Sequence, residues 1–273
     1  MESKKILFCS DIHYTERYKK IMEESSRGFD AVLLGGDISG RGDPLTQRDF
    51  FRDDFRGMMQ RNRNDLPPFF IIPGNDDYRS IIEPLQKTEG VILPIEKPYP
   101  LFYGLQIIGY PYIPISPFHN KDFEKRDQPG QDKLFPTARL TGHAFRNGRL
   151  TDYTFDLNDD DTIKRDLEEM SDQVNEKTIF MTHCPPRELG KFRTRNGRTG
   201  DMGSPAIKNF ILKNPLYFEM YGHNHEPEDN SPVKWLGKTP CAYAGTSKKP
   251  KELIYLEIEI RKDLSWKLER RCR

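Results

Sequence analysis

Five short apolar runs, each followed at once by a tight cluster of Asp, Asn, His and Gly, constrain this chain more than anything else in it. The runs are residues 4–9, 31–34, 69–72, 178–181 and 216–221, bounded by turn formers and predicted to be buried strands. Between them, residues 16–26, 46–61, 78–87, 159–174 and 205–213 have helical character. Strands alternating with helices predict an α/β fold with a largely parallel sheet covered on both faces. Ligands bind such folds outside the carboxyl ends of the strands. The clusters fall at those ends: Asp11-Ile12-His13, Gly36-Asp37, Gly74-Asn75-Asp76-Asp77, Thr182-His183 and Gly222-His223-Asn224-His225.

Seven donors stand out in these clusters: Asp11, His13, Asp37, Asn75, His183, His223 and His225. Four imidazoles with two carboxylates and an amide suit Mn, Fe, Zn, Ni or Co better than Mg or Ca. Seven exceed what one tetrahedral ion uses. They suffice for two divalent metal ions sharing one carboxylate, at the roughly 3.5–4 Å spacing of two-metal hydrolases. The expected chemistry is hydrolysis of a phosphoester bond by a metal-activated water.

Each residue taken alone has a plainer reading. A single Asp or Asn after a strand is ordinarily a helix cap or turn former, and a single His is ordinarily a polar residue with no metal. His119 and His143 fit no pattern and are read that way. Asp77 is read as a support for its neighbours. Residues 41–43 spell an adhesion-type tripeptide in a polar loop and carry no weight. The four cysteines, at positions 9, 184, 241 and 272, lack metal-site or C-x-x-C spacing and read as free thiols, with Cys184 a small buried residue beside His183.

A net charge of +1 with 31% charged residues gives no overall signature for polyanions, so nucleic acid is not favoured. No apolar run approaches the roughly 20 residues that span a bilayer, and no signal-peptide core precedes the first run. A cytoplasmic enzyme is expected, with a homo-oligomer left open. Because the donors run from Asp11 to His225, a single domain over residues 1–273 is expected. Near the end, Ile254, Leu256, Ile258 and Ile260 share one face of a half-buried strand and Tyr255, Glu257, Glu259 and Arg261 the other. A turn at Lys262-Asp263 makes this a hairpin, and Tyr103-Gly104 closes another between residues 98–102 and 105–109.

The order D-x-H, G-D, G-N-x-D, T-H and G-H-x-H resembles the calcineurin-like metallophosphoesterases, from residue 11 to residue 225. That resemblance implies a four-layer α/β/β/α sandwich with two mixed β-sheets. It also implies that Asp11, His13 and His225 hold the first metal, that Asp37 bridges, and that Asn75, His183 and His223 hold the second. The stretches 182–186, 203–204 and 222–226 resemble more closely the phosphoesterases grouped as related to cyclic-nucleotide phosphodiesterase. One position departs from the family pattern: Asp76 stands where a His is usual, a His thought to protonate the leaving group. Loss of a positioned general acid typically costs about 10² to 10⁴ in rate. The departure has three readings: substrates with good leaving groups, a substitute donor from the loop between His183 and Ser204, or lost hydrolysis with metal binding kept.

Two segments are where substrate choice is expected to be written. Arg187, Lys191, Arg193, Arg195 and Arg198 concentrate positive charge after His183, in a glycine-containing loop that reads as pliable and able to grip phosphate oxygens. Residues at about 111–156 form a long insertion or lid without clear periodicity. The favoured partner is a small phosphorylated substrate, a phosphodiester first; a phosphomonoester, a nucleotide pyrophosphate bond and a nucleic-acid backbone present the same phosphoryl group. The competing class is a metal-binding but noncatalytic interaction or scaffold protein of the same fold.

Overall fold

The structure, a computed structural model, describes residues 2–40, 42–95, 97–130 and 137–273. Two six-stranded mixed sheets form its centre. The first runs, in spatial order, Trp266–Cys272, Ile254–Arg261, Ser3–Cys9, Ala31–Gly35, Phe69–Ile72 and Val91–Ile92. Its two C-terminal strands join antiparallel and the rest are parallel. The second runs Val233–Leu236, Thr239–Tyr243, Phe218–Tyr221, Thr178–Thr182, Gln106–Tyr110 and Tyr99–Pro100, with its outermost pairs antiparallel.

Strand alternation separates the side chains into layers. Ile6, Phe8 and Leu33 of the first sheet meet Ile107, Ile179, Met181 and Phe218 of the second in one buried cluster. Leu7, Cys9 and Val32, on the opposite face, pack under the helix Arg17–Ser25 and the helical stretch 44–61. Phe180 and Ile108, on the far face of the second sheet, pack under the helices Ile163–Met170 and Pro205–Lys213. This is the four-layer α/β/β/α sandwich. No helix among the described residues is long and apolar enough to cross a membrane.

Several elements differ from the sequence reading. The second helix begins at Pro44 rather than residue 46, because Asp43 accepts from the Leu45 and Thr46 amides and Pro44 occupies the first turn. Tyr255 is buried, not on an open face: the helix Arg17–Ser25 covers that side, and the Tyr255 hydroxyl donates to Glu24 Oε2 at 2.8 Å. The segment at about 111–156 holds a hairpin, Thr141–Arg146 with Arg149–Thr154. Its turn residues Asn147 and Gly148 take φ of 52° and 80°, the left-handed pair that a two-residue hairpin turn demands. The part of that segment at 131–136 lies outside the described residues, as does Arg41. The loop after His183 is likewise not slack: Lys191–Arg193 pairs antiparallel with Thr199–Asp201.

Candidate metal centre

The carboxyl ends of the parallel strands from both sheets open onto one edge, and short hydrogen bonds knit the five clusters together there. The Asp11 amide donates to the Gly36 carbonyl at 2.9 Å, and the His223 amide donates to Asp11 Oδ1 at 3.0 Å. Asp11, His13, Asp37 and His223 all have φ between 50° and 67°. Left-handed backbone costs a non-glycine residue on the order of 1–2 kcal/mol, and such strain gathers at functional sites. Two glycines of the clusters have steric reasons. A side chain at Gly74 would run into the amide and carboxylate of Asp37, and one at Gly36, where φ is 93°, would run into the His183 ring.

The donors converge in two groups with one member in common. Single ligand atoms of Asp11, His13, Asp37 and His225 lie within 4.8 Å of one another, and so do those of Asp37, His183 and His223. His13 Nε2 is 3.0 Å from His225 Nε2 and 3.8 Å from Asp37 Oδ2, and His225 Nε2 is 3.0 Å from Asp11 Oδ1. In the second group His183 Nε2 is 3.1 Å from Asn75 Oδ1 and 3.3 Å from Asp37 Oδ1. Ligands about 2.1 Å from a first-row ion are separated by about 3.0–3.4 Å when adjacent. The donor set therefore fits divalent ions. All seven sequence-predicted donors are brought together, with Asp37 in both groups and Asn75 beside the second.

Surrounding groups fix these side chains. His183 Nδ1 donates to the Gly35 carbonyl at 3.0 Å, which fixes the ring with Nε2 facing Asp37 and Asn75. Ser10 Oγ donates to Asp11 Oδ2 at 2.7 Å. Burial opposes ionisation of Asp11 and Asp37, yet the facing imidazoles prevail: Asp11 sits well below the usual carboxylate range and Asp37 at about 2. Burial, with His183 adding to it, lowers His223 to about 3, which keeps that ring neutral and free to coordinate.

Asp77 is the support the sequence suggested. It accepts from the Gly74 amide at 2.7 Å, Ser39 at 2.7 Å and Ile38 at 3.1 Å, tying two ligand loops together. Asp76 lies at the cleft mouth, its side chain 42% exposed, with Oδ2 3.5 Å from His13 Nδ1 and Oδ1 accepting from Asn75 Nδ2 at 2.8 Å. Desolvation in the cleft wall, then the Asp37 and Asp77 charges, push its carboxyl up to about 7. Divalent ions beside it would favour the carboxylate instead. At 3.5 Å the Asp76 carboxylate faces the His13 ring without a hydrogen bond to it.

Two residues that sequence reasoning passed over hold the loops. Arg17, buried, donates to the Ile12 carbonyl at 2.7 Å and the Lys249 carbonyl at 3.0 Å, tying the D-x-H loop to the segment at 246–249. Asn120, in the segment at about 111–156, donates to the Asn75 and Asp77 carbonyls. No motif marks either one; each is an ordinary polar residue whose role comes from where the fold places it. Cys184 is fully buried and burial raises its thiol well above the ordinary value. His119 and His143 lie apart from the centre, their rings 6.2 Å apart and stacked.

A cleft of about 550 Å³ opens over the donors. Its walls come from residues 116–118 and Thr137 and from the hairpin after His183, through Phe192, Thr194 and residues 199–202. The expected arginine grip does not line it. Alternation along Lys191–Arg193 puts Phe192 on the cleft and sends Lys191 and Arg193 away from it. Arg193 pairs with Glu228 at 2.9 Å and Arg187 with Asp201 at 3.4 Å; Arg195 and Arg198 are exposed. Asp201 reaches the cleft from that loop, but its carboxylate is engaged by the Glu188 and Gly203 amides.

A family model described as calcineurin-like phosphoesterase matches residues 4–227. No curated protein sequence matches the chain. Among solved structures, one aligns with a TM-score of 0.60 at 12% identity over 98% of this chain and 99% of its own. The crystal structure of TT1561 of Thermus thermophilus aligns with a TM-score of 0.55 at 13% identity over the same shares of the two chains. At these identities the likeness is one of fold.

Proposed function

Because the chain belongs to the calcineurin-like phosphoesterase family, we propose that it hydrolyses a small phosphodiester with two divalent metal ions held by Asp11, His13, Asp37, Asn75, His183, His223 and His225. The observation that carries this reading is the sharing of Asp37 by two converging donor groups. Ions bound there would supply positive charge to the phosphoryl oxygens and acidity to an attacking water. The nitrogen-rich set favours Mn, Fe, Zn, Ni or Co over Mg.

The chain's own groups then do the positioning. Asp77 and Asn120 fix the loop that presents Asn75, and the Gly35 carbonyl fixes the His183 ring. Asp76 leaves the leaving group without the usual imidazole donor, which favours esters that depart readily. The cleft has Pro117, Phe118, Phe192 and Met202 among its walls and bears one cation among its described lining residues, Lys248, paired with Glu226 at 2.7 Å. That lining supports a small organic ester over a nucleic-acid strand, whose backbone demands a run of cations.

The test is turnover of bis(p-nitrophenyl) phosphate against p-nitrophenyl phosphate by metal-stripped protein given Mn²⁺, Ni²⁺, Zn²⁺ or Mg²⁺. Metal-dependent cleavage of the diester, faster than of the monoester and abolished in Asp37→Asn, is expected. Two ions bound with no turnover of either ester would move the reading to a noncatalytic interaction protein of this fold.

A further inference from the structure

Two phenylalanines are carried into the cleft above the donors by separately braced supports. Phe118 comes from the segment at about 111–156 and is 48% exposed, unusual for so large an apolar side chain in a groove that leads to polar ligands. The turn that carries it is fixed from below. Its amide donates to Ser116 Oγ at 3.0 Å, and the Ser116 amide donates to Glu124 Oε2 at 3.0 Å. Glu124 is itself held by the fully buried Lys121 at 2.7 Å. Such a buried pair is costly to desolvate and contributes geometry more than stability. Here the geometry it sets is that of residues 116–118.

Phe192 comes from the hairpin after His183 and is braced differently. Gly200 is its partner across the strand pair, and a Cβ there would stand 2.8 Å from two atoms of the Phe192 ring, so the ring lies directly on the glycine backbone. The hairpin is bonded to the ligand loop. The Arg193 amide donates to the Glu226 carbonyl at 3.0 Å, the Glu228 amide to the Lys191 carbonyl at 3.0 Å, and Asn224 Nδ2 to the same Lys191 carbonyl at 3.0 Å. Phe192 is thus set in register with His223 and His225. Pro117 and Met202 line the same cleft, and a thioether adapts well to an aromatic face.

We infer that Phe118 and Phe192 form a binding site for a flat aromatic group carried by the phosphoryl ester, so that the substrate class is a phosphoester bearing an aryl ring or a nucleobase. This deepens the phosphoesterase reading and rests on it for where the phosphoryl group sits. Aromatic contacts of this kind tolerate many rings, because every one presents a π face. The exposed Phe118 face gains a partner on binding and loses contact with water.

Binding of phenylphosphonate and methylphosphonate to the Mn²⁺-loaded protein, measured by calorimetry, tests this without requiring turnover. Phenylphosphonate is expected to bind at least about tenfold more tightly, since its ring covers apolar surface that methyl leaves wet. In Phe118→Ala with Phe192→Ala the ratio is expected to fall to within about twofold, while Phe118→Tyr with Phe192→Tyr keeps it. Circular dichroism and metal content of each variant separate a lost ring from a lost fold. Adenosine monophosphate binding as tightly as phenylphosphonate assigns the ring to a nucleobase, and much weaker binding assigns it to a simple aryl ester. A ratio near one in the wild type, or no binding of either phosphonate, overturns the inference. A ratio of ten with no ester hydrolysed would leave the ring site standing and remove the phosphoesterase reading.

Discussion

Asn120 donates through one side-chain nitrogen to the main-chain carbonyl of Asp77 at 2.8 Å, across 43 positions of sequence, and to that of Asn75 at 2.9 Å. The segment that carries Asn120 therefore sets the position of the loop at 74–77 as well as forming a cleft wall. Groups that orient ligands from behind typically affect metal affinity or activity by 10–100-fold. Asn120→Ala is expected to weaken binding of one divalent ion by about tenfold, and Asn120→Asp, which would face two carbonyl oxygens with a carboxylate, by more. Titration of metal-stripped protein checks this; affinity unchanged in both variants would remove Asn120 from the site's support.

Asp77 accepts three backbone amides from two loops, all of them buried. Removing the carboxylate leaves those donors unpaired, at about 1–3 kcal/mol each. Asp77→Ala is therefore expected to cost about 3 kcal/mol or more of stability, and Asp77→Asn, which keeps one acceptor oxygen, clearly less. Urea midpoints give the comparison. Equal losses in the two variants would contradict it.

Glu219 lies fully buried on the strand Phe218–Tyr221, paired with Phe180 of the strand that leads to His183. The Thr182 hydroxyl is 2.8 Å from the Cys184 carbonyl and 2.7 Å from Glu219 Oε1. A hydroxyl has one proton, so both contacts are satisfied when Glu219 keeps its own proton and donates it. Burial pushes this carboxyl from an ordinary 4.5 up to about 8. Between those values the folded chain holds a proton that the unfolded chain has released, so the Glu219 contribution to stability falls as pH rises through that window. Glu219→Gln is expected to gain on the wild type between pH 5 and pH 9, by an amount on the order of a few kcal/mol. Parallel stability curves across that range would show that Glu219 does not titrate there.

Asp76 stands within 3.5 Å of His13 Nδ1, so a His at this position trades one role for another. Asp76→His is expected to raise kcat on esters with poor leaving groups by about tenfold or more, relative to p-nitrophenyl esters, by restoring a general acid. The same change removes the carboxylate facing His13 and is expected to weaken metal binding in the group that contains Asp11 and His225. A variant with unaltered leaving-group dependence would exclude proton donation as the limit.

The convergence of the seven candidate donors is legible in the sequence because they follow strands, and strand ends are where a parallel sheet collects residues that are distant in the chain. Which of those donors would share an ion comes from the family resemblance alone. What lay outside the strands was not legible. The Asn147-Gly148 pair is a hairpin signal of known kind, but the strands it joins are little buried and lack an apolar stripe, so the segment shows no clear period. Composition marks the cations after His183 but does not say which residues of a short strand face the cleft; Phe192 lines it and Lys191 and Arg193 alternate away. Arg17 and Asn120 act through carbonyls that have no sequence signature at all.

Metal stoichiometry tests the central claim most directly. Two equivalents of Mn²⁺ per chain are expected for the wild type, with Asp37→Asn losing tight binding of both because its carboxylate belongs to both donor groups. One equivalent in the wild type, or two retained in Asp37→Asn, would contradict a pair of ions sharing that residue.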